Sequence, residues 1–157
     1  MAYSEEFLRE AIRLSEAKME AGESGPFGAV IVKDGKIVGQ GRNRVTSAND
    51  PTAHAEIMAI RDACTTLGTF SLKGCEIYAS CEPCPMCLSA IYWARLDALY
   101  FAGSQSDAAD AGFDDALLYD QIPKEWNARI LRTEQHLPEE ARKVLHAWAT
   151  NPDKTPY

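Results

Sequence analysis

The stretch Asn49-Asp50-Pro51-Thr52-Ala53-His54-Ala55-Glu56, set beside Ser80-Cys81-Glu82-Pro83-Cys84-Pro85-Met86-Cys87, decides how this chain is read. One histidine and two cysteines make three good ligands for zinc, and a tetrahedral site needs four. A fourth place left to water separates a working zinc from a structural one. Glu56, two positions after the histidine, is a carboxylate able to take a proton from that water. Asp50 as N-cap and Pro51 at the first helical position predict a helix over 51–67 that stops at Gly68, with His54 in its first turn. Cys84 and Cys87 are three apart, so on a helix they project about 60° from each other and can grip one ion. Pro83 and Pro85 suit a strand-to-helix junction, and a helix N-terminus favours thiolates. Two helical steps turn Glu56 about 200° from His54, which suits approach from beside the metal rather than a fourth ligand.

The cysteines have other uses open to them. Cys81, Cys84 and Cys87 could join His54 in a closed Cys₃His structural site, and a C-x-x-C pair can serve redox chemistry. Glu56 has no part in either. Cys81 is expected as a small residue at a strand end, and Cys64 and Cys75 as buried core thiols.

Outward from these motifs, Ser4-Glu5-Glu6 predicts the start of a helix running to about residue 21, with Leu8, Ala11, Ile12, Ser15 and Met19 on one face. Gly22 to Gly25 breaks it. Strands over 27–32 and 37–41 meet across Asp34-Gly35, a strong hairpin signal, and 43–49 reads as a polar loop. A strand over 75–80, a helix over 84–94 and a strand over 98–101 follow. Two such crossovers between parallel strands place both metal-bearing segments on one side of the sheet. Beyond residue 102 the pattern weakens: 107–119 is acidic with helical pieces, and 129–135 is expected to supply an edge strand. Residues 138–150 read as a helix with Val144, Leu145 and Trp148 on one face, followed by a polar tail ending at Tyr157. The expected fold is α/β, a three-layer α/β/α sandwich.

At 157 residues and 46% hydrophobic content the chain reads as one domain with room for a real core. Five cysteines at metal-type spacing argue against a disulfide framework. With no secretory signal and no stretch of transmembrane length, a reducing cytoplasm is the expected setting. The net charge of −7, with scattered Lys and Arg, speaks against nucleic acid and for a small neutral substrate.

His54-x-Glu56 with Pro83-Cys84-x-x-Cys87 resembles the zinc-dependent cytidine/deoxycytidylate deaminase superfamily. Within it, Gly25-Pro26-Phe27-Gly28-Ala29-Val30, Ile91-Tyr92-Trp93-Ala94-Arg95, Ala111-Gly112-Phe113-Asp114-Asp115 and the closing Tyr157 are similar to the small bacterial guanine deaminases. The resemblance implies a single deaminase domain of the cytidine deaminase type with a mixed sheet. It implies one Zn²⁺ on His54, Cys84 and Cys87, with Glu56 and Asp115 as catalytic groups. It also implies purine contacts from Phe27, Asn43, Ala55, Trp93 and Tyr157. Its further implication is a homodimer in which residues 138–157 exchange between subunits. Other amino-heterocycle or nucleoside deaminations (guanosine, cytosine, ammeline) and tRNA adenosine deamination keep the same zinc chemistry. A structural zinc module is the non-enzymatic alternative.

Overall fold

In the computed structural model the described residues are 3–17 and 22–157. They fall in two compact units, Met1–Asp115 and Ala116–Tyr157.

The first unit is built on a four-stranded sheet of order β2-β1-β3-β4, with β1 Gly28–Lys33, β2 Lys36–Arg42, β3 Cys75–Cys81 and β4 Ala98–Gly103. β1 runs antiparallel to β2 and to β3, whereas β3 and β4 are parallel. β2 and β3 therefore point the same way, and both connections that carry metal-motif residues join strands of like direction. The hairpin forms where expected: Asp34 (φ 50°) and Gly35 (φ 73°) are both left-handed, the conformation of a two-residue type I′ turn.

Alternation along β1 builds two cores. Ala29 and Ile31 face one side, with Ile77, Ala55, Ala59, Ala63, Ile91 and Ala94. Val30 and Val32 face the other, with Tyr78 and Ala11 and with Phe7, Leu8 and Leu14 packed against them. Helix α1 (Glu5–Glu16) thus covers one face, and helices α3 (Ala55–Leu67) and α4 (Pro85–Trp93) the other. The three-layer sandwich with a mixed sheet is the observed architecture.

Glycine sets how closely these layers approach. A Cβ at Gly41 would lie 2.2 Å from the Ala55 carbonyl oxygen, and one at Gly39 2.6 Å from the Ala63 amide nitrogen. Strand β2 can lie against α3 only because these positions lack a side chain. Gly28 does the same for α1, where a Cβ would meet the Ala11 carbonyl oxygen at 2.3 Å. On β2 the Gln40 N–H donates to Asp62 of α3 at 2.9 Å.

Several elements differ from the sequence reading. Helix α3 begins at Ala55, not at Pro51. Asp50 turns its carboxylate onto the Thr52 N–H and hydroxyl (2.8 and 2.7 Å), a local Asx-type turn that competes with capping a helix. The loop over 43–49 holds one helical turn, α2 (Val45–Ala48), closed by left-handed Asn49. In α1, Ser4 stands at the N-cap without a side-chain cap, and its N–H donates to the Tyr78 hydroxyl at 3.2 Å. Phe7 and Leu14 join the buried face of α1 while Ile12 is exposed. The reading of residues 18–21, Met19 included, lies outside the described residues.

The first unit continues through α5 (Gln105–Asp110). The second unit contains α6 (Ala116–Gln121), a short 3₁₀ turn at Trp126–Ala128 and α7 (Pro138–Thr150), the last bounded as expected. The edge strand expected over 129–135 does not form; that segment has no regular structure. Its Arg129 guanidinium and Ile130 N–H bond instead to Lys124, Ile122 and Gln121 within the same unit. Among the described residues no helix is long and apolar enough to cross a membrane.

Candidate metal centre

Two helix starts converge to make the site. His54 is the N-cap of α3, with extended backbone (φ −69°, ψ 158°), and so precedes the helix instead of lying in its first turn. Cys84 is the N-cap of α4 in the same conformation (φ −64°, ψ 167°), with Pro85 at the first helical position. Cys87, one turn on, is buried. Pro85 has no N–H to lose at a position where none is bonded, so it fixes the turn out of β3 at little cost.

The His54 Nδ1 lies 3.6 Å from Cys84 Sγ and 3.5 Å from Cys87 Sγ. All three ligand atoms lie within 4.8 Å of one another. For zinc bonds of ordinary length meeting at a tetrahedral angle, nitrogen and sulfur should stand roughly 3.6 Å apart. The donor set and its spacing fit zinc. Cys81, at the end of β3, is not part of the group: its Sγ donates to the Ser104 carbonyl oxygen at 3.5 Å. Burial raises its thiol pKa. Cys75 is fully buried and Cys64 half-buried, both as free thiols.

The electrostatics favour a thiolate here. The Cys84 thiol is held down to about 4, first by a hydrogen bond from the Cys87 thiol and then, against its burial, by His54. Cys87 moves upward, first because its thiol donates to the Cys84 sulfur and then because it is buried. His54 is raised, chiefly by its hydrogen bond with Cys84. Glu56, in the first turn of α3, is only 8% exposed. Burial raises its carboxyl pKa above the ordinary value.

Other expected site residues are placed as follows. Phe27 meets Phe113 edge-on, ring centroids 4.9 Å apart at 84°. Asn43 is 6% exposed, and its Oδ1 accepts from the N–H groups of Val45 (3.1 Å) and Gly25 (3.4 Å). That is loop capping, and it commits the oxygen while leaving Nδ2 the group able to face a ligand. Ala55 is buried in the core, so only its main chain can reach a ligand. Trp93 closes α4, 64% exposed, with the Arg95 guanidinium 5.6 Å from its ring centre. It lies six residues past Cys87, about 240° round the helix, and so points away from the face that carries that ligand. Asp115 is half-buried and accepts from Gln105 Nε2 at 2.9 Å. Tyr157 belongs to the second unit and is 75% exposed. The sequence reading did not single out Gln105 or Glu82. A Ser104-x-x-Asp107 capping box was the available signal for the structure around them.

Residues 1–103 match the family described as the cytidine and deoxycytidylate deaminase zinc-binding region. The chain is 50% identical over 153 residues to a guanine deaminase of Bacillus subtilis, covering 98% of each. A crystal structure of guanine deaminase from Bacillus subtilis superposes with a TM-score of 0.95 at 49% identity, covering 99% of both chains. A tRNA-specific adenosine deaminase of Aquifex aeolicus is 45% identical over 98 residues, which is 62% of this chain and 64% of that one. With its metal ligands gathered as that zinc-binding region requires, the chain belongs to the cytidine and deoxycytidylate deaminase family.

Proposed function

We propose that this protein is a guanine deaminase, hydrolysing guanine to xanthine and ammonia. One observation carries the reading: the likeness to the Bacillus guanine deaminase runs through both units, whereas the match to the Aquifex tRNA adenosine deaminase covers 62% of the chain. Bound to His54, Cys84 and Cys87, zinc supplies the Lewis acidity that makes water nucleophilic near neutral pH.

The protein's own groups do the rest. Glu56 is buried with a raised carboxyl pKa, so it can accept a proton and return it to the departing amino nitrogen under mild conditions. Asn43, its oxygen committed to backbone, offers Nδ2 as a donor to the carbonyl of the base. Phe27, fixed by Phe113, gives an aromatic wall. Asp115 accepts from the ring amino group and helps carry protons as ammonia forms. Ala55 contributes through its main chain, whereas Trp93, turned away from the Cys87 face, is given no contact with the base in its own chain's site.

The active unit in this reading is a homodimer of single-domain subunits that exchange residues 138–157, so that Tyr157 closes the partner's site. Support comes from α7, whose Val144, Leu145 and Trp148 are exposed in one chain. The free thiols of all five cysteines suit a reducing cytoplasm. Ammonia release from guanine, cytosine, cytidine, adenine and a tRNA anticodon stem by the purified protein tests the assignment. Guanine should be converted with far the highest kcat/KM; preference for cytosine or for the stem overturns it.

A further inference from the structure

We infer that Gln105 is a positioning residue for Asp115, held at the start of α5 against the segment that leads to Cys84. The inference rests on the reading of Asp115 as a group that handles the substrate's amino protons.

Gln105 opens α5, where a helix leaves its first N–H groups without internal partners. Its own N–H is satisfied by the Glu82 carboxylate at 2.9 Å, two residues before Cys84. The same stretch is tied to the cysteine loop twice more. The Glu82 N–H donates to the Gly103 carbonyl oxygen at 2.8 Å, and Cys81 Sγ donates to that of Ser104 at 3.5 Å. The Ser104–Asp107 capping box then fixes the first turn of α5. The main chain of Gln105 is thereby held in register with the segment that presents Cys84.

From this anchored backbone the side-chain amide reaches Asp115, Nε2 donating to Oδ1 at 2.9 Å. Asp115 needs such a hold. It follows α5 in a stretch without regular structure, pinned otherwise by the Phe113 N–H on the Ala108 carbonyl oxygen and by the Phe113 ring on Phe27. An ionised carboxylate has two accepting oxygens. Gln105 takes Oδ1, and Oδ2 is the oxygen that this inference gives to the substrate. A neutral amide does this without adding a positive charge that would compete for the carboxylate, as Lys or Arg would. One residue thus joins the metal-bearing loop to the carboxylate assigned to the amino group.

The test is a double-mutant cycle on the zinc-loaded protein, using Q105M, D115A and both together. Q105M keeps the chain length and the N–H bond to Glu82 and removes only the side-chain donor. Q105M should lose about tenfold in kcat on guanine, the scale of one hydrogen bond to a charged group, with KM and metal content little changed. In the D115A background the same substitution should change kcat by less than about twofold, because the group it positions is gone. Unaltered kcat in Q105M, or equal losses in both backgrounds, overturns the inference and leaves the deaminase assignment standing. A D115A protein with unaltered kcat removes the reading of Asp115 and this inference with it. Should Q105M fail to load zinc, Q105L, also without the donor and without charge, is taken through the same cycle with the same expectations.

Discussion

The two units of this chain solve the burial problem in opposite ways. In Met1–Asp115 the apolar residues of four strands and three helices find one another, forming two cores on either side of the sheet. In Ala116–Tyr157 no residue is buried, and Leu117, Ile122, Ile130, Leu131, Val144, Leu145 and Trp148 all stand exposed. The difference runs parallel to kinship. The family's zinc-binding region matches within the first unit, and the Bacillus guanine deaminase covers both. Chemistry common to the family sits where the fold is self-sufficient. The second unit adds one group to the proposed substrate contacts, Tyr157, while Phe27, Asn43 and Asp115 lie in the first.

The sharpest way to break that division is to remove a ligand in the first unit. Cys84→Ala or Cys87→Ala should abolish both metal content and deamination, whereas Cys81→Ala should keep both; metal analysis of the purified variants decides. Next in size, Glu56→Gln should bind zinc normally and lose at least about 10²-fold in turnover, as removal of a general acid–base group does. Zinc retained together with near-normal turnover would contradict the role given to Glu56.

In the second unit, deleting residues 155–157 should leave a folded, zinc-loaded protein with poorer guanine turnover, a smaller loss than Glu56→Gln causes. Mixing inactive Glu56→Gln chains with tail-deleted chains tests the exchange directly. If tails cross, one site of a mixed dimer combines an intact Glu56 with a borrowed Tyr157, and activity rises above that of either parent. Verified mixed dimers without that rise count against the crossing and not against the deaminase.

Smaller effects test how the first unit is built. Gly41→Ala should lower stability by about 1–3 kcal/mol, read from denaturant midpoints, because the new methyl meets the first turn of α3. It should also weaken zinc binding, since that turn follows His54. The smallest change concerns Tyr78, whose hydroxyl donates to Glu76 at 3.0 Å. Burial, before anything else, lifts its pKa from 10.0 to about 12. The folded state thus holds this proton more tightly than the unfolded chain does. The stability it confers is complete below pH 10 and lost as pH rises through about 12. Tyr78→Phe should cost about 1 kcal/mol near neutrality and flatten the fall between those limits.

The sequence was most legible where local chemistry and tertiary need agree. The Asp34-Gly35 turn, the stop at Gly68 and the ligand trio were all readable, because each depends on residue type at fixed spacing. The start of α3 was misread because Asp50 can cap a helix or close its own turn, and the choice is settled by the need to bring His54 out in extended form. The strand expected over 129–135 failed for another reason. Alternation marks a strand only when a sheet edge receives it, and that lies beyond the segment itself. Gln105 escaped because its partners, Glu82 and Asp115, are far from it in sequence.

One contact of the sheet bears on how the protein behaves at high concentration. β2 lies at one end of the strand order, and such a rim can recruit a strand from another chain. Asp62, reaching down from α3, occupies the Gln40 N–H and leaves a negative charge beside the rim. An incoming strand would have to displace that carboxylate and bury its charge before gaining a bond. The helix that begins at the metal site therefore also obstructs strand pairing at Gln40 on the β2 rim. Solubility and chemistry share one element, and a substitution in α3 chosen for one is to be judged for the other.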